Sequence, residues 1–306
     1  MKRVAVIIAL CLFFISGASF ADTFGDGDNQ FEIDFVPISG NTNPASGYGV
    51  ANYDYRIGTC EITNDQWSKF EISLGVPVTG SAYGAYDANP NPGTNLPTDN
   101  VSWYEAAQFV NWLNTNSGYQ AAYNFTGTQG TTNYTLELWD AADAWGGTNL
   151  YRHKNARYFL PSEDEWVKAA YWNGSDLQTY ANAFETDLIS NEPDPEKWNY
   201  FPSDGSELWA ADLGAQELNG TYNMMGNVWE WMESSQYPGL YFTSVNRGIR
   251  GGSYISADTG LRSSYRNSQT PDFEDNLTGF RVASVPEPMT VMLLGMGGLA
   301  LWSRRK

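Results

Sequence analysis

Regular hydrophobic periodicity occurs only in short pieces of this 306-residue chain, and this limits the folds open to it more than any other feature. Apolar side chains recur at helical spacing in two segments, and short alternating segments such as residues 53–57 and 279–283 predict strands. Long stretches rich in Gly, Asn, Asp and Pro separate them, as at residues 81–98 and 185–205, and loops of that length usually carry function or need an ion to hold them. Because no repeat or linker divides the middle of the chain, residues 30–284 are predicted to form one loop-rich α+β domain.

Both helical segments begin with a capping signature. Residues 104–113 follow Ser102, and Glu105 lies three positions beyond it, which is the spacing of a capping box. The second helix is predicted from Ser162 to about Trp172, with Gly174 closing it. Its first turn holds the consecutive carboxylates of residues 163–165, a pattern also found in acid–base catalysis. The positive end of a helix dipole accounts for them without catalysis.

The start of the chain predicts a sorting signal. Residues 1–21 have a basic start, an apolar stretch at residues 4–15 and small side chains at Ser19 and Ala21. This is the pattern of a cleaved secretory signal peptide, with an uncleaved membrane anchor as the alternative.

The end of the chain predicts a second sorting signal. Residues 285–288 read Val-Pro-Glu-Pro and precede an apolar run at residues 289–302 and a basic terminus. Fourteen helical residues span only about 21 Å, less than the roughly 30 Å hydrocarbon core of a bilayer. In this order the features resemble a PEP-CTERM sorting signal, which implies a Gram-negative envelope, membrane attachment through residues 285–306, and later processing by an exosortase. An ordinary tail anchor is the alternative, and with the basic end in the cytoplasm both place residues 22–285 outside.

Charge and two rare residue types exclude several functions. The chain has 35 acidic and 17 basic residues, a net charge of −18. Five of the basic residues and Glu287 lie in the terminal segments, so residues 22–285 carry 34 acidic and 12 basic groups, a net charge of −22. Such a surface repels phosphate backbones and excludes nucleic-acid binding. The chain has one histidine, which excludes a metal site built from several histidines. It has two cysteines, and because Cys11 leaves with the signal peptide, Cys-ligated clusters and an intramolecular disulfide are also excluded.

Five sequence blocks occur in an order that resembles one known family. They cover about 230 residues and lie at residues 57–64, 100–106, 158–166, 226–231 (Gly-Asn-Val-Trp-Glu-Trp) and 250–282. They are similar to the conserved blocks of the formylglycine-generating enzyme, or sulfatase-modifying factor, family. The resemblance implies a large, loop-rich variant of the C-type lectin-like fold, with a substrate cleft near Ser253, Tyr254, Asp258 and Trp229.

The resemblance also implies that the catalytic chemistry of the family is missing. Its oxidising members hold copper with two cysteines placed shortly after the Gly-Gly-Ser segment, because thiolate sulfur suits Cu(I). These positions are occupied here by Ser256 and Leu261, so copper is not expected. A second branch uses iron and three histidines, which a chain with one histidine cannot supply. His153, between Arg152 and Lys154, is predicted to be a solvated loop residue.

Calcium is the cofactor that the resemblance leaves open. Hard oxygen donors suit Ca²⁺, and an extracellular site functions even when it is weak. By family spacing, one expected ligand set is Asn223, Gly226, Val228 and Glu230. A second, less well matched set is Asn199, Tyr200 and Asp204. In the alternative interpretation Glu230 acts as a cap or forms a salt bridge, while Trp229 and Trp231 fill the core.

The sequence thus predicts an exported, calcium-stabilised protein of the cell envelope or extracellular matrix, more a binding or structural protein than an enzyme. Its partners would be an exopolysaccharide or another surface protein, and aromatic side chains of the cleft would offer stacking surfaces for sugars. The alternative is a metal-dependent oxidoreductase that uses non-cysteine ligands, among them Asp258. A matrix spacer without a ligand is the third hypothesis.

Overall fold

A computed structural model of the chain describes residues 20–78, 94–182, 188, 196–201 and 207–286. Most of the predicted signal peptide, the tail beyond Pro286 and Asp204 lie outside the described residues, as do most of the two long loops predicted at residues 81–98 and 185–205. None of the helices in these ranges has the length and hydrophobicity of a transmembrane span.

Three helices are each started by a reciprocal capping box. They are α1 (Asn64–Leu74), α2 (Trp103–Asn116) and α3 (Glu163–Tyr171). The N-cap hydroxyls of Thr63, Ser102 and Ser162 each accept a hydrogen bond from the backbone N–H three residues on. In return, the side-chain oxygen of that third residue accepts a hydrogen bond from the N-cap N–H. Both predicted helices are confirmed, and α1 was not predicted.

The first sheet is antiparallel and has five strands in the order β1-β2-β3-β13-β8. These strands are β1 (Phe20–Phe24), β2 (Phe31–Ile38), β3 (Tyr55–Gly58), β8 (Tyr158–Phe159) and β13 (Ala283–Ser284). Along β2, buried Phe31, Ile33 and Phe35 alternate with exposed acidic residues, so one face of this strand packs on the core. The last described strand, β13, is an inner strand of this sheet and lies between β3 and the edge strand β8.

The second sheet has four strands in the order β11-β10-β9-β12. Its strands are β9 (Trp229–Ser235), β10 (Arg247–Arg250), β11 (Asn267–Gln269) and β12 (Thr278–Gly279), and only the β12–β9 pair is parallel. Two hairpins complete the described strands, β4 (Asn124–Thr126) with β5 (Thr135–Glu137) and β6 (Ala144–Trp145) with β7 (Asn149–His153).

Two hydrophobic clusters form the core. In one cluster α1 and α2 pack their aromatic side chains, including Trp67, Phe70 and Phe109, against Phe280. In the other, α3 packs through Trp166 and Tyr171 against Met224 and Met232. Loops therefore complete much of the core, which agrees with the predicted loop-rich α+β class.

Two predicted boundaries differ from the structure. The folded part starts before residue 30, because β1 pairs along its whole length with β2, so Phe20 and Ala21 of the predicted signal peptide lie in a strand. The strand predicted at residues 279–283 is two strands, because Gly279 pairs with Glu230 in the second sheet while Ala283 pairs with Ile57 in the first. Residues 280–282 cross between the sheets and are fully buried.

Candidate functional site

The segment after β10 forms a tight loop around Gly252. This glycine has a φ of +78°, and a Cβ built on it would lie 2.6 Å from Leu261 Cδ2 and 3.2 Å from Ser256 Cβ. The backbone N–H of Ser253 donates to Ser256 Oγ (2.9 Å), and Leu261 is fully buried. Ser256 and Leu261 thus lie beside each other at Gly252, and the position where the resemblance implies a thiolate pair holds one hydroxyl and one buried isobutyl group.

The four predicted cleft residues differ in accessibility. Ser253 is fully buried and Tyr254 is 9% exposed, while Trp229 is half-buried with its ring 6.0 Å from that of Tyr265. The Tyr254 hydroxyl accepts a bond from Asn276 Nδ2 (3.3 Å), and burial together with nearby aspartates raises the pKa of this tyrosine. Of the four, Trp229 and Asp258 present the most side-chain surface to solvent.

Asp258 lies between Ser256 and Leu261 in the chain but on the solvent-exposed side of this segment. Its side chain is 49% exposed, and its Oδ2 accepts from the Tyr180 hydroxyl (3.1 Å) and from Arg262 Nη2 (3.2 Å). The bond from Tyr180 holds the pKa of this carboxyl below its usual value. Asp258 therefore forms a surface ion pair, a role that accounts for its carboxylate without a metal.

Glu230, the carboxylate of the first predicted calcium set, lies in a buried ion pair. Its two oxygens accept from Arg281 Nε and Nη2, both at 2.6 Å, and Oε2 also accepts from Trp166 Nε1 (2.7 Å). Both side chains of the ion pair are 0% exposed. A dication at Glu230 would have to lie next to a guanidinium with no water to screen it. The arrangement matches the salt-bridge alternative for Glu230 and does not fit calcium.

Asn199, which begins the second predicted calcium set, has an unused acceptor. It is fully buried, its Nδ2 donates to the Glu207 carbonyl and to Asn227 Oδ1, and its Oδ1 has no hydrogen-bond partner among the described residues. Buried oxygens of this kind are normally satisfied by a donor, water or an ion. Asn199 therefore fits a cation ligand, Tyr200 is buried next to it, and Asp204 lies outside the described residues.

A group of buried acids close to these residues was not predicted. Glu61 and Glu217 are both nearly fully buried, and burial raises the pKa of Glu217 to about 7. Glu61 Oε2 accepts from Asn227 Nδ2, while Glu61 Oε1 has no partner among the described residues. No sequence signal marked these acids: Glu61 lies within the block at residues 57–64 and Glu217 lies outside every block, and a glutamate is expected to be exposed unless long-range packing buries it. Across the described ranges, no group of three or more His, Cys, Asp or Glu side chains is arranged to hold a metal ion.

His153 is not the solvated loop residue that the sequence predicted. It ends β7, is only 7% exposed, and packs edge-on against Trp139 with the ring centroids 4.6 Å apart. Its Nδ1 accepts the backbone N–H of Asn155 (3.0 Å), which fixes the turn after the strand. The prediction was wrong because the flanking Arg152 and Lys154 suggested a polar segment, whereas Arg152 itself is buried.

Comparisons with known proteins agree with the blocks seen in the sequence. Residues 15–285 match the sulfatase-modifying factor enzyme 1-like domain, and residues 284–306 match the PEP-CTERM protein-sorting motif. Inactive C-alpha-formylglycine-generating enzyme 2 of Mus musculus is 32% identical over 168 residues, 49% of this chain and 50% of that protein. Hercynine oxygenase of Mycolicibacterium smegmatis is 25% identical over 275 residues, 79% of this chain and 55% of that protein. The chain thus spans about half the length of each of these two relatives.

Among solved structures, Treponema denticola variable protein 1 is similar with a TM-score of 0.60 and 21% sequence identity. The match covers 87% of this chain and 99% of that one. At this identity the likeness establishes the fold alone.

Proposed function

The chain belongs to the sulfatase-modifying factor enzyme 1-like family. We propose that within this family it is a non-catalytic binding protein of the cell envelope or extracellular matrix. Its fold is the formylglycine-generating-enzyme fold, the large C-type lectin-like variant predicted from the sequence. The PEP-CTERM motif marks the chain for export to the cell envelope or surface and implies processing by an exosortase.

The observation that carries this proposal is the pair Ser256 and Leu261 at Gly252. The backbone keeps the two positions together, but a hydroxyl is a hard, weak donor and a buried leucine cannot ligate. Cys60 does not compensate, because it lies in the block before α1 and burial raises the pKa of its thiol to about 12. A thiol with that pKa is almost wholly protonated at neutral pH and is a poor metal ligand.

Asp258 gives no support to a metal-dependent oxidoreductase with other ligands. The ion pair with Arg262 and the bond from Tyr180 account for its carboxylate. The inactive mouse relative is consistent with loss of catalysis in this superfamily.

Calcium remains part of the proposal, with Asn199 as its anchor. Asn199 Oδ1 is a buried acceptor to which no described residue donates, and amide and carboxylate oxygens are the ligands that Ca²⁺ prefers. Glu230 is left out, because Arg281 already neutralises it. Calcium bound in this way would stabilise the folded chain around residue 199. We expect calcium to raise the melting temperature of the wild-type chain above its value in chelator, and not to raise that of Asn199→Ala.

The loss of catalysis is tested by restoring the missing ligands. We would titrate the full chain and the double variant Ser256→Cys/Leu261→Cys with Cu(I), with Ser256→Ala/Leu261→Ala as the matched control. We expect about one copper per chain in the cysteine variant alone, since only that variant offers two adjacent thiols. A circular dichroism melt confirms that each variant is folded.

The same samples are then incubated with a cysteine-containing peptide and oxygen. The wild-type chain is expected to leave the peptide unchanged. Stoichiometric copper in the wild-type chain, or oxidation of the peptide by it, would overturn the non-catalytic assignment.

A further inference from the structure

A pocket separate from the predicted cleft lies at the start of α3. It has a volume of about 210 Å³, and its wall is built from α3, the end of β9 and the loop of residues 236–246. None of Ser253, Tyr254, Asp258 or Trp229 lines it. We infer that this pocket binds one ring of an uncharged saccharide, an inference that rests on the binding role proposed above and deepens it.

Three tyrosines line the pocket; Tyr48 and Tyr241 keep exposed ring surface, while Tyr151 is buried and packs against Tyr241. Tyr151 and Tyr241 pack together with ring centroids 4.9 Å apart, and Tyr48 faces the same space. The guanidinium groups of Arg250 and Arg266 lie 4.9 and 5.3 Å from the centre of the Tyr48 ring and hold it in place. Rigid aromatic faces suit the C–H face of a sugar ring, because they offer apolar area at little entropic cost.

Polar groups with unused bonding capacity lie beside these walls. The hydroxyls of Ser234 and Ser235 each accept a backbone N–H, from Glu163 and Tyr237 respectively, so each keeps its own proton to donate. Asp164 accepts the N–H groups of Gly49 and Val50 with Oδ1 alone, and no described residue donates to its Oδ2. Two donors and one acceptor around aromatic faces match the hydroxyl groups of a sugar ring.

The other carboxylates of the pocket are committed to arginines. Glu163 accepts from Arg250 (2.7 Å) and Arg266 (2.8 Å), and Glu233 accepts from Arg152 (2.9 Å). These ion pairs fix the walls before any ligand arrives, so little ordering is needed on binding. They also leave Asp164 as the one lining carboxylate without an arginine among the described residues. A uronic acid would be repelled by Asp164 and by the acidic domain around it, so the structure favours an uncharged sugar.

The loop above the pocket extends the apolar surface. Tyr237, Leu240 and Phe242 are 57%, 37% and 58% exposed, although they lie within six residues of one another. Aromatic side chains that are left in water beside a pocket are typical of binding surfaces. These three side chains would contact the sugar units that flank the bound ring, which makes a polymer a better ligand than a free monosaccharide.

The test uses the full chain in a zwitterionic detergent that carries no sugar. Saturation-transfer NMR is recorded with uncharged β-glucan, mannan and galactan oligosaccharides, with oligouronates, and with one lysine-rich and one apolar peptide. We expect at least one uncharged oligosaccharide to bind with a Kd of about 1 mM or below, as a ligand the size of one or two rings allows. Saturation should be strongest at the ring C–H protons that face tyrosine.

Two variants and a matched control locate the site. Tyr241→Ala removes one wall and should weaken binding at least tenfold. Asp164→Asn keeps an acceptor for Gly49 and Val50 but removes the charge, and should weaken it about threefold. Tyr265→Ala removes an exposed tyrosine next to Trp229, outside the pocket, and should leave affinity unchanged. Melting curves show that the variants are folded.

Three results would overturn the inference: no uncharged oligosaccharide binds, a uronate or a peptide binds in its place, or Tyr265→Ala weakens sugar binding as much as Tyr241→Ala does. Failure here is distinct from failure of the proposed function. Copper binding or peptide oxidation by the wild-type chain would overturn the non-catalytic assignment whatever the sugar result, and an absence of sugar binding would leave a non-catalytic protein with another partner.

Discussion

Arg152 shows how this domain stabilises charge in its interior. Its guanidinium lies between Glu165 (2.8 Å) and Glu233 (2.9 Å), stacked 3.6 Å from the centre of the Phe159 ring, and all three charged side chains are at most 1% exposed. A buried triad of this kind adds little net stability, but removing its centre leaves two carboxylates uncompensated.

We therefore expect Arg152→Met to lower the free energy of unfolding by about 3–5 kcal/mol or to prevent folding. Lys69→Met is the control, because Lys69 pairs with Asp65 at the surface of α1 and such pairs contribute about 0.5 kcal/mol. Urea unfolding of both variants makes the comparison. Equal losses would mean that the triad is no more important than a surface ion pair.

Glu217 makes stability depend on pH near neutrality. It is fully buried and accepts from the Met224 and Met225 N–H groups and from the Thr221 hydroxyl, and burial raises its pKa to about 7 from a usual 4.5. Because the folded state holds the proton more tightly than the unfolded state, this contribution is full below about pH 4.5 and is lost as the pH rises through about 7.

Between pH 4.5 and 8, the unfolding free energy of the wild-type chain should fall by about 3 kcal/mol relative to Glu217→Gln, at 1.36 kcal/mol per pKa unit. Denaturant melts of both proteins across this range measure the difference. Parallel pH curves would show that Glu217 is ionised throughout.

At the scale of elements, the three helices share one device for starting. In α2 the Ser102 hydroxyl accepts the Glu105 N–H (3.2 Å), while Glu105 Oε2 accepts from both the N–H and the hydroxyl of Ser102 (2.7 Å each). Ser102→Ala should cost about 1–2 kcal/mol of unfolding free energy. Ser46→Ala, at an exposed serine outside helices and strands, should change it by less than about 0.5 kcal/mol. Thermal melts of the two variants measure the difference, and equal losses of stability would show that the Ser102 cap does not stabilise α2.

The same device explains what could be predicted. The helices starting after Ser102 and Ser162 were found because the cap and the apolar spacing both lie within a few residues, and Gly251–Gly252–Ser253 located the loop that holds Ser256 and Leu261. The helix after Thr63 carries the same signature with Gln66, but its polar surface residues weaken the periodic signal. Residues 279–283 were misassigned because local alternation cannot show which of two sheets each end joins.

The candidate pocket lay further beyond sequence reasoning. Tyr48, Tyr151, Asp164 and Tyr241 come from four separate parts of the chain and meet only through long-range packing. The ion pair of Glu230 with Arg281, 51 residues apart, is equally non-local, and the family spacing alone pointed to calcium there.

At the scale of the whole molecule, hydrogen bonds through Arg56 connect β1 and β13, the first and last described strands. Asp22 of β1 pairs with Arg56 through both carboxylate oxygens and accepts from the Tyr158 hydroxyl (2.8 Å), while Arg56 Nε donates to Ser284 Oγ in β13 (3.0 Å). The contact with Arg56 holds the pKa of Asp22 below its usual value in spite of burial.

Asp22→Asn should therefore lower stability by about 1–3 kcal/mol at neutral pH, because it removes a charge-assisted acceptor at a partly buried site. The loss should shrink as the pH falls toward the usual aspartate pKa, since protonation removes the same charge from the wild-type chain. Asp28→Asn, at an exposed aspartate nearby, is the control. Melts at pH 7 and pH 3 test this, and a loss that does not depend on pH would contradict it.

The position of β13 as an inner strand also affects how the domain would respond to force. The sorting tail continues from Val285, whose N–H donates to the Arg157 carbonyl, directly beyond a strand that is bonded on both sides. A pull on that tail directed along β13 would load its bonds to β3 and β8 in shear, so these bonds would share the force and would not open one after another. A tether attached to an edge strand could open its bonds one at a time, whereas this tether is attached to an inner strand of the sheet.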